Sequence, residues 1–364
     1  MQQYRAPHWL IGGNAQTIWP ALFSRRFDGP PPSFTRERWA TPDGDFIDVD
    51  WQVSASGSPD TATAAPGGAS PALARPPGVR LADDADPPLL VLFHGLEGSS
   101  ASHYAQAFAH WARAHGWRFA VPHFRGCSGE LNLAPRAYHS GDFEEIGWVL
   151  ERMRRHHRGK IAALGVSLGG NALLRWAEEA GASASSTVDA VCAISSPIDL
   201  AAGGRAIGTG FNRQVYTRMF LRTMKPKALA KLAQHPGLFD RDKLFAARTL
   251  YEFDNVFTAP LHGFRDTDDY WARGSAKPHL QRIRIPALLV NARNDPFVPA
   301  HCLPQPREVG AFVTLWQPLH GGHVGFPGGR WPGHVHTLPE RVMGWLSRQI
   351  RVNIEPWTTS SGKR

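Results

Sequence analysis

Cysteine is scarce in this chain of 364 residues. The three cysteines, Cys127, Cys192 and Cys302, are widely spaced and odd in number. A disulfide framework needs pairs, and a structural zinc site needs cysteines a few residues apart. The sequence therefore favours neither, and we expect a protein of the reducing cytoplasm that uses no metal ion and no organic cofactor.

Long apolar runs are also missing. No stretch approaches the ~20 apolar residues that span a bilayer. The first residues lack the basic and then apolar pattern of a secretion signal. The sequence predicts neither a membrane-spanning helix nor export.

A dense block of one charge is absent too, although the formal charge is +9. Arginines are dispersed among acidic residues, and no basic run is denser than RMRRHHRGK at 152–160. We interpret this run as a helix end whose cations complement the helix dipole, with an anion site as the alternative. A nucleic-acid partner is not expected, whereas the net charge is compatible with peripheral contact with an anionic lipid surface.

Short apolar segments alternate with longer amphipathic ones along the chain. The apolar segments at 89–93, 118–122, 160–166, 188–195, 286–291 and 311–316 predict strands. Helical spacing follows several of them, as in Tyr104, Phe108 and Trp111, and from Leu168 to Ala180. Such alternation predicts an α/β fold with a mostly parallel sheet and helices on both faces.

Three segments depart from this alternation. Residues 36–53 predict a hairpin around a PDGD turn. Residues 54–87 are rich in Ala, Pro and Gly and predict a flexible surface insertion. From about 198 to 284 only helical patterns occur, which predicts a helical cap inserted before the sheet resumes. We therefore expect one domain over residues 1–353 and a tail at 354–364.

The segment GVSLGG, residues 165–170, joins a predicted strand to a predicted helix. Small residues on both sides of Ser167 permit the strained turn that exposes a nucleophilic hydroxyl at the carboxyl edge of a sheet. A bare GxSxG is a weak signal, but its position between a strand and a helix makes it specific.

A serine becomes nucleophilic only beside a base that is oriented by a carboxylate. Asp295 follows the strand at 286–291, and His323 lies in HGGHVGF after the strand at 311–316. In isolation Asp295 would be interpreted as a turn-forming residue. The chain order Ser, Asp, His at three strand ends instead predicts a catalytic triad of Ser167, Asp295 and His323.

An oxyanion hole is expected in the loop of LLVLFHGLEGSS, residues 89–100. We assign it to the backbone amides of Leu96 and Leu168, the second being the residue after the nucleophile. His94 is interpreted as a residue that orients this loop by a hydrogen bond. The role of Glu97 stays open.

Several motifs together resemble the α/β-hydrolase superfamily and, within it, the YheT-like hydrolases. They are WLIGGNAQTIWPALFSRR, FHGLEGSSASHYAQAFA, FRGCSGELN, YHSGD, GVSLGGNALLRWAEE, FDNVFTAPLHGFRDTDDYW, NARNDPFVP and GGHVGF. The resemblance implies a serine carboxylic-ester hydrolase whose nucleophile, acid and base fall on Ser167, Asp295 and His323. Two positions depart from the common family pattern: Asn14 stands where histidine is usual, and Asn294 where a second aspartate is usual.

Other reactive side chains have simpler interpretations. Cys127 is expected to be a structural thiol, and His139 to hold a loop or, with Ser140 and Asp142, to start the next helix by capping. The group Asp266, Asp268 and Asp269 is expected at a helix N-terminus rather than at a metal. Asp254 is the rival of Asp295 as the orienting acid.

The predicted reaction is hydrolysis of a small-molecule or lipid ester, either a short-chain ester or an acylglycerol. A thioesterase and a catalytically idle binding or scaffold protein are the alternatives. Apolar residues of the predicted cap are expected either to line an acyl pocket or to form the core of the cap: Phe211, Val215, Met219, Phe220, Phe253 and Phe257.

Overall fold

The computed structural model describes residues 3–53 and 86–352. The predicted insertion at 54–87 lies outside the described residues except for its last two, and the predicted tail at 354–364 lies outside them entirely.

A single mostly parallel sheet forms the centre of the molecule. Its strands are β1 (Phe34–Ala40), β2 (Phe46–Gln52), β3 (Leu89–Phe93), β4 (Arg118–Pro122), β5 (Ile161–Val166), β6 (Ala190–Ile194), β7 (Ala287–Val290) and β8 (Val313–Trp316). Their spatial order is β1-β2-β4-β3-β5-β6-β7-β8. The pairs β1/β2 and β2/β4 are antiparallel, and every other pair is parallel. The predicted fold class is confirmed.

Helices connect these strands. They are α1 (Gly13–Leu22), α2 (His103–Ala114), α3 (Phe143–His156), α4 (Leu168–Ala180), α5 (Leu200–Ile207), α6 (Gly210–Asn212), α7 (Arg218–Gln234), α8 (Arg241–Ala246), α9 (Leu250–Val256), α10 (Thr258–Leu261), α11 (Thr267–Gly274) and α12 (Thr337–Gln349).

The apolar run of β3 is continuous because helices cover both faces of the sheet. Leu90 and Leu92 belong to one apolar cluster with residues of α2 and α12. Leu89, Val91 and Phe93 belong to another, with residues of α3 and α4. Since successive side chains of a strand point to opposite faces, a strand in this position must be apolar throughout.

The predicted hairpin is confirmed, and it forms one edge of the sheet. Thr41 and Asp45 close the turn through a hydrogen bond of 2.9 Å from the Thr41 N–H to the Asp45 carbonyl. Gly44 adopts φ 76°, a conformation that the glycine of PDGD permits without strain. The turn sets the register in which Ala40 faces Phe46.

The chain between β6 and β7, all of which the structure describes, contains α5–α11 and no strand of the sheet. Apolar spacing at 211–220, 229–232 and 244–250 predicts three separate helices here, and the structure divides the segment differently. Leu229–Leu232 is part of α7, which continues through Pro226. Residues 244–250 are not one helix, because α8 ends at Ala246 and extended residues precede α9. These helices have an apolar cluster of their own, formed around Leu244, Phe253 and Phe257.

The N-terminal segment packs against the segment that follows β8. The hydroxyl of Tyr4 donates to the carbonyl of Pro327 at 2.6 Å, and the indole N–H of Trp19 donates to that of Pro332 at 2.8 Å. The N-terminal segment therefore lies beside the residues that directly follow the loop carrying His323.

Candidate active site

Ser167 occupies a strained turn between β5 and α4. Its backbone has φ 52° and ψ −120°, in the region that non-glycine residues rarely adopt. The turn is fixed by a 2.8 Å hydrogen bond from the Ser167 N–H to the carbonyl of Ile194 at the end of β6. The hydroxyl is thereby presented at the carboxyl edge of the sheet, as GVSLGG predicts.

The glycines around Ser167 are required because other backbone segments approach them closely. A Cβ on Gly165 would lie 2.4 Å from the Cα of Gly170, and one on Gly169 would lie 2.4 Å from the carbonyl oxygen of His94. Neither distance is compatible with a side chain, so the small residues allow β3, β5 and α4 to meet at this turn.

The structure brings together the three residues of the predicted triad. His323 Nε2 lies 3.0 Å from Ser167 Oγ, and His323 Nδ1 lies 2.9 Å from Asp295 Oδ2. The Asp295 carboxylate is fully buried, and His323 is 9% exposed. Phe297 covers the imidazole, with ring centroids 4.1 Å apart.

Asp295 is also a turn-forming residue, as its segment predicts when it is considered in isolation. Its Oδ1 accepts hydrogen bonds from the backbone N–H groups of Phe297 at 2.7 Å and Val298 at 3.2 Å. These bonds fix the carboxylate so that Oδ2 faces the imidazole. The turn is therefore the means by which the acid is oriented.

Helix α1 holds the loop that carries His323, a role that sequence analysis did not find. Gln16 Oε1 accepts from the N–H of Gly321 at 2.9 Å and from the amide of Asn294 at 3.0 Å. Thr17 Oγ1 accepts from the N–H of His323 at 2.8 Å. The available signal was the motif GGNAQT, whose polar residues lie in an otherwise apolar segment.

The two departures from the family pattern take part in this same region. Asn294 Oδ1 accepts from the N–H of Gly322 at 3.0 Å, so asparagine at this position bonds both to the histidine loop and to Gln16. Asn14 Oδ1 accepts from the hydroxyl of Tyr216 at 2.8 Å and so connects α1 to the helices between β6 and β7.

The loop after β3 passes close to the nucleophile. A Cβ on Gly95 would lie only 3.2 Å from Ser167 Cβ. Leu96 and Leu168 line the same cavity as Ser167. Among the hydrogen bonds of the described residues, neither the Leu96 N–H nor the Leu168 N–H donates to a protein acceptor. Both donors are available at the site where an oxyanion hole is predicted.

His94 orients this loop, as predicted. The N–H of Phe124 donates to His94 Nε2 at 3.1 Å, so the ring proton is on Nδ1 and donates to the carbonyl of Gly95 at 2.8 Å. Burial lowers the pKa of His94 to about 3. The neutral imidazole is thus a fixed structural link and not a second base.

Glu97, whose role the sequence leaves open, joins the loop to α7. Its carboxylate forms an ion pair with Lys227 at 2.9 Å and accepts from the hydroxyl of Tyr138 at 3.0 Å. The same hydroxyl accepts from the Glu97 N–H at 3.0 Å. Because Glu97 directly follows Leu96, these contacts restrain the position of the Leu96 amide.

The other candidates have structural roles. Burial raises the pKa of Cys127 to about 12, so its thiol is protonated and inert at neutral pH. Asp254 accepts from Thr258 and from the indole N–H of Trp271, at 2.6 and 3.0 Å. The triad geometry is formed with Asp295 and not with this rival acid.

The predicted helix termini are confirmed in two cases and wrong in one. Asp266 caps α11 by accepting from the N–H of Asp269 at 2.8 Å, and Arg154 at the end of α3 donates to the carbonyl of Gly159 at 2.6 Å. The capping predicted for Asp142 is wrong: α3 begins after it, but its side chain makes no capping bond because it is held by Arg136 at 2.6 Å.

Ser167 and His323 line a cleft of about 1170 Å³, a volume that includes the part of the cleft open to solvent. One part of its lining is apolar and comes mostly from the helices between β6 and β7: Ile207, Phe220, Met224, Leu250, Phe253 and Phe257. Three of the residues expected either in an acyl pocket or in the core of the cap are not part of the lining: Phe211, Val215 and Met219. Phe211 and Met219 instead point outward and are 55% and 47% exposed.

Two features are absent from the part of the chain that the structure describes. No group of three or more metal-ligating side chains is found there. No helix in residues 3–53 and 86–352 is long and apolar enough to cross a membrane.

Comparison with known proteins agrees with the fold. The family model for the alpha/beta hydrolase fold matches residues 88–329. The chain therefore belongs to the α/β-hydrolase family. It is 37% identical over 338 residues to YheT of Escherichia coli (strain K12), covering 92% of this chain and 90% of that protein, which places it among the YheT-like members.

More distant relatives and solved structures share the fold. Phospholipase ABHD3 of Mus musculus is 27% identical, over 94% of this chain and 77% of its own. Monoacylglycerol lipase of Saccharomyces cerevisiae is also 27% identical, and the match covers 68% of this chain and 58% of that protein. The structure of Est1E from Butyrivibrio proteoclasticus with bound ferulic acid superposes with a TM-score of 0.51 at 12% identity, covering 86% of this chain and 99% of that one.

Proposed function

We propose that the protein is a serine hydrolase that cleaves carboxylic esters through an acyl-enzyme intermediate. The observation that carries this proposal is the continuous chain of contacts from Asp295 Oδ2 to His323 Nδ1, and from His323 Nε2 to Ser167 Oγ, at 2.9 and 3.0 Å. These are the distances and the order that a base needs in order to take the serine proton.

The reaction begins when His323 Nε2 takes the proton of Ser167 as its oxygen attacks the ester carbonyl. Asp295 stabilises the imidazolium that results and keeps the ring in the productive tautomer. The tetrahedral intermediate collapses, the alcohol leaves with the proton from His323, and the acyl group stays on Ser167. Water then attacks in the same way and releases the carboxylic acid.

The amides of Leu96 and Leu168 are proposed to hold the negative oxygen of both tetrahedral intermediates. A donor of this kind contributes about 3 kcal/mol to the transition state in measured cases. The Glu97–Lys227 ion pair and Tyr138 restrain the loop that carries the first of these amides. The donor is thus in position before the substrate binds.

We further propose that the helices between residues 198 and 284 are a cap on a single domain and that the cap binds the acyl chain. Its apolar residues, including Phe220, Phe253 and Phe257, form a large part of the cleft lining. Two relatives are named for lipid ester hydrolysis, a phospholipase and a monoacylglycerol lipase. Together these support a lipid ester, such as an acylglycerol, as the substrate. We propose a cytoplasmic location because the three cysteines are too few and too scattered for a disulfide framework.

Covalent labelling tests the nucleophile. A fluorophosphonate probe is expected to label the wild-type protein at Ser167, and Ser167→Ala is expected to remain unlabelled while it unfolds at an unchanged temperature. Labelling of Ser167→Ala at the wild-type rate would refute the assignment. A folded wild-type protein that does not react would identify an idle hydrolase fold instead.

The substrate class is tested with p-nitrophenyl esters of increasing acyl length. We expect kcat/KM to rise from acetate toward medium chains, because each buried methylene contributes about 0.8 kcal/mol, or roughly fourfold. A matched series of thioesters distinguishes an esterase from a thioesterase, which would cleave the thioesters faster than the esters. Rates that peak at acetate and fall steeply for longer chains would contradict the lipid ester.

A further inference from the structure

The positive charge of the protein is concentrated in one part of the proposed cap, although the sequence as a whole looks evenly mixed. Residues 200–239 contain no aspartate and no glutamate. The same segment contains seven lysines and arginines: Arg205, Arg213, Arg218, Arg222, Lys225, Lys227 and Lys231. The formally charged side chains of α5–α7 are therefore all positive.

Three of these cations already have partners. Lys227 pairs with Glu97 at 2.9 Å. Lys225 donates to backbone carbonyls of Phe245 and Ala247 at 2.8 and 2.5 Å. Lys231, which is buried, donates to the carbonyl of Ala134 at 2.9 Å. These three lysines serve to hold the helices in place.

The four arginines are different. Within residues 3–53 and 86–352, no carboxylate lies within ion-pairing distance of the guanidinium groups of Arg205, Arg213, Arg218 and Arg222. Arg205, Arg218 and Arg222 are exposed, and Arg213 is half-buried. Four uncompensated cations on one short segment attract a polyanionic surface more strongly than the same charges paired with carboxylates would.

Helix α7 has cleft-lining side chains on one face and exposed side chains on the opposite face. Phe220, Met224 and Lys227 line the cleft. Arg218, Met219 and Arg222 are exposed. At 100° per residue, the second set lies on the opposite side of the helix from the first. The charged face is thus the outer surface of the wall that encloses the substrate cleft.

Large apolar side chains accompany the arginines. A continuous helical stretch is formed by α6, a π-helical turn at Arg213–Thr217, and α7. Its exposed residues include Phe211 at 55% and Met219 at 47%. Exposed apolar side chains enter the interfacial region of a bilayer, and arginines beside them contact anionic headgroups. A nucleic-acid surface would explain the charge but not the exposed apolar groups.

We propose that the outer face of this helical stretch, formed by Phe211, Arg218, Met219 and Arg222, binds anionic lipid bilayers. The arginines contact lipid phosphates, and the apolar side chains enter the headgroup region. The surface holds the cleft against the layer that contains lipid esters; this last step rests on the proposed function, whereas the binding itself does not.

Vesicle binding tests the proposal, using the full chain and two matched double variants. The wild-type protein is expected to sediment with vesicles of phosphatidylcholine and 30 mol% phosphatidylglycerol, and much less with pure phosphatidylcholine. Each cation near an anionic bilayer strengthens binding by roughly fivefold. Arg218→Gln with Arg222→Gln should therefore bind about 25-fold more weakly.

The control is Arg155→Gln with Arg158→Gln, which removes the same net charge from exposed positions in the densest basic run of the sequence. We expect it to retain affinity within threefold of wild type. An equal loss in both double variants would show that only net charge matters and would overturn the proposal. Wild-type binding to duplex DNA with no binding to vesicles would overturn it as well.

Two further measurements separate binding from catalysis. Ser167→Ala should bind vesicles as well as wild type, whether or not the enzyme proposal holds. Arg218→Gln with Arg222→Gln should hydrolyse a dissolved short-chain ester at the wild-type rate, because neither side chain lines the cleft. If vesicle binding of this variant is unchanged from wild type, the assigned surface is wrong.

Discussion

Replacing Asp295 with asparagine changes one atom of the proposed triad and leaves the turn around it intact. Oδ1 of Asp295 accepts from two backbone N–H groups, those of Phe297 and Val298. An asparagine must keep its carbonyl oxygen at that place. Its NH₂ group therefore replaces Oδ2, the atom 2.9 Å from His323 Nδ1.

The consequence for the histidine follows from hydrogen-bond direction. An NH₂ group at the position of Oδ2 donates to His323 Nδ1, which is 2.9 Å from that position and 3.1 Å from Oδ1, and this bond favours the tautomer with the ring proton on Nε2. Nε2 then faces Ser167 Oγ at 3.0 Å as a donor and cannot take the serine proton. A misplaced tautomer of this kind lowers turnover by about 10⁴ in the well-studied serine proteases, which corresponds to ~5.5 kcal/mol.

The assay is kcat/KM on a p-nitrophenyl ester, measured together with the unfolding temperature. Asp295→Asn should lose about 10⁴ in kcat/KM with little change in unfolding temperature, since the turn bonds are retained. The matched control is Asp254→Asn, which changes the rival acid in the same cleft and should alter kcat/KM less than about tenfold. The reasoning is refuted if Asp254→Asn is the inactive variant, or if Asp295→Asn keeps wild-type activity.

Three further changes test how the site is held. Gly169→Ala should lower the free energy of unfolding by about 1–3 kcal/mol, because its Cβ would lie 2.4 Å from a backbone oxygen; Gly344→Ala in α12 meets nothing closer than 3.8 Å and should raise it by roughly 0.5–1 kcal/mol. Denaturant titration measures both, and equal effects would contradict the packing argument. Gln16→Leu leaves the N–H of Gly321 without its acceptor and should cost about 1–3 kcal/mol of stability and lower kcat; a fully active, fully stable variant would exclude the role given to α1. Finally, burial lowers the pKa of His94 from 6.5 to about 3. The folded state therefore binds fewer protons than the unfolded state between these values, so the stability that neutral His94 contributes is complete above pH 6.5 and falls below it by up to about 1.4 kcal/mol per pH unit. Burial lowers the pKa values of His103, His139 and His262 as well, and these residues act in the same direction. An unfolding temperature that stays constant from pH 7.5 to 5 would contradict this.

The sheet and the positions of the triad were predictable because they depend on local patterns. A strand buried on both faces must be apolar, as Leu89–Phe93 is, and a sharp turn after such a strand needs small residues. Three polar residues at strand ends, in a fixed order along the chain, then imply proximity, since the carboxyl ends of parallel strands meet at one edge.

Contacts between distant segments were not predictable in this way. Gln16 and Gly321 are separated by 305 positions, and nothing in their local sequences pairs them. The helices between β6 and β7 pose the same difficulty at short range. Apolar spacing indicates that Phe211, Met219 and Phe220 are helical, but not which of them faces the cleft. Only the packing of α7 shows that Phe220 lines the cleft while the other two are exposed.

The bond between Thr17 and the His323 backbone has a consequence for how the protein matures on the ribosome. Thr17 is synthesised 306 positions before His323, so the bond cannot form until the chain has been made at least as far as His323. A nascent chain that stalls before this point would carry the serine turn without the histidine beside it, and we expect such a chain not to react with a fluorophosphonate probe.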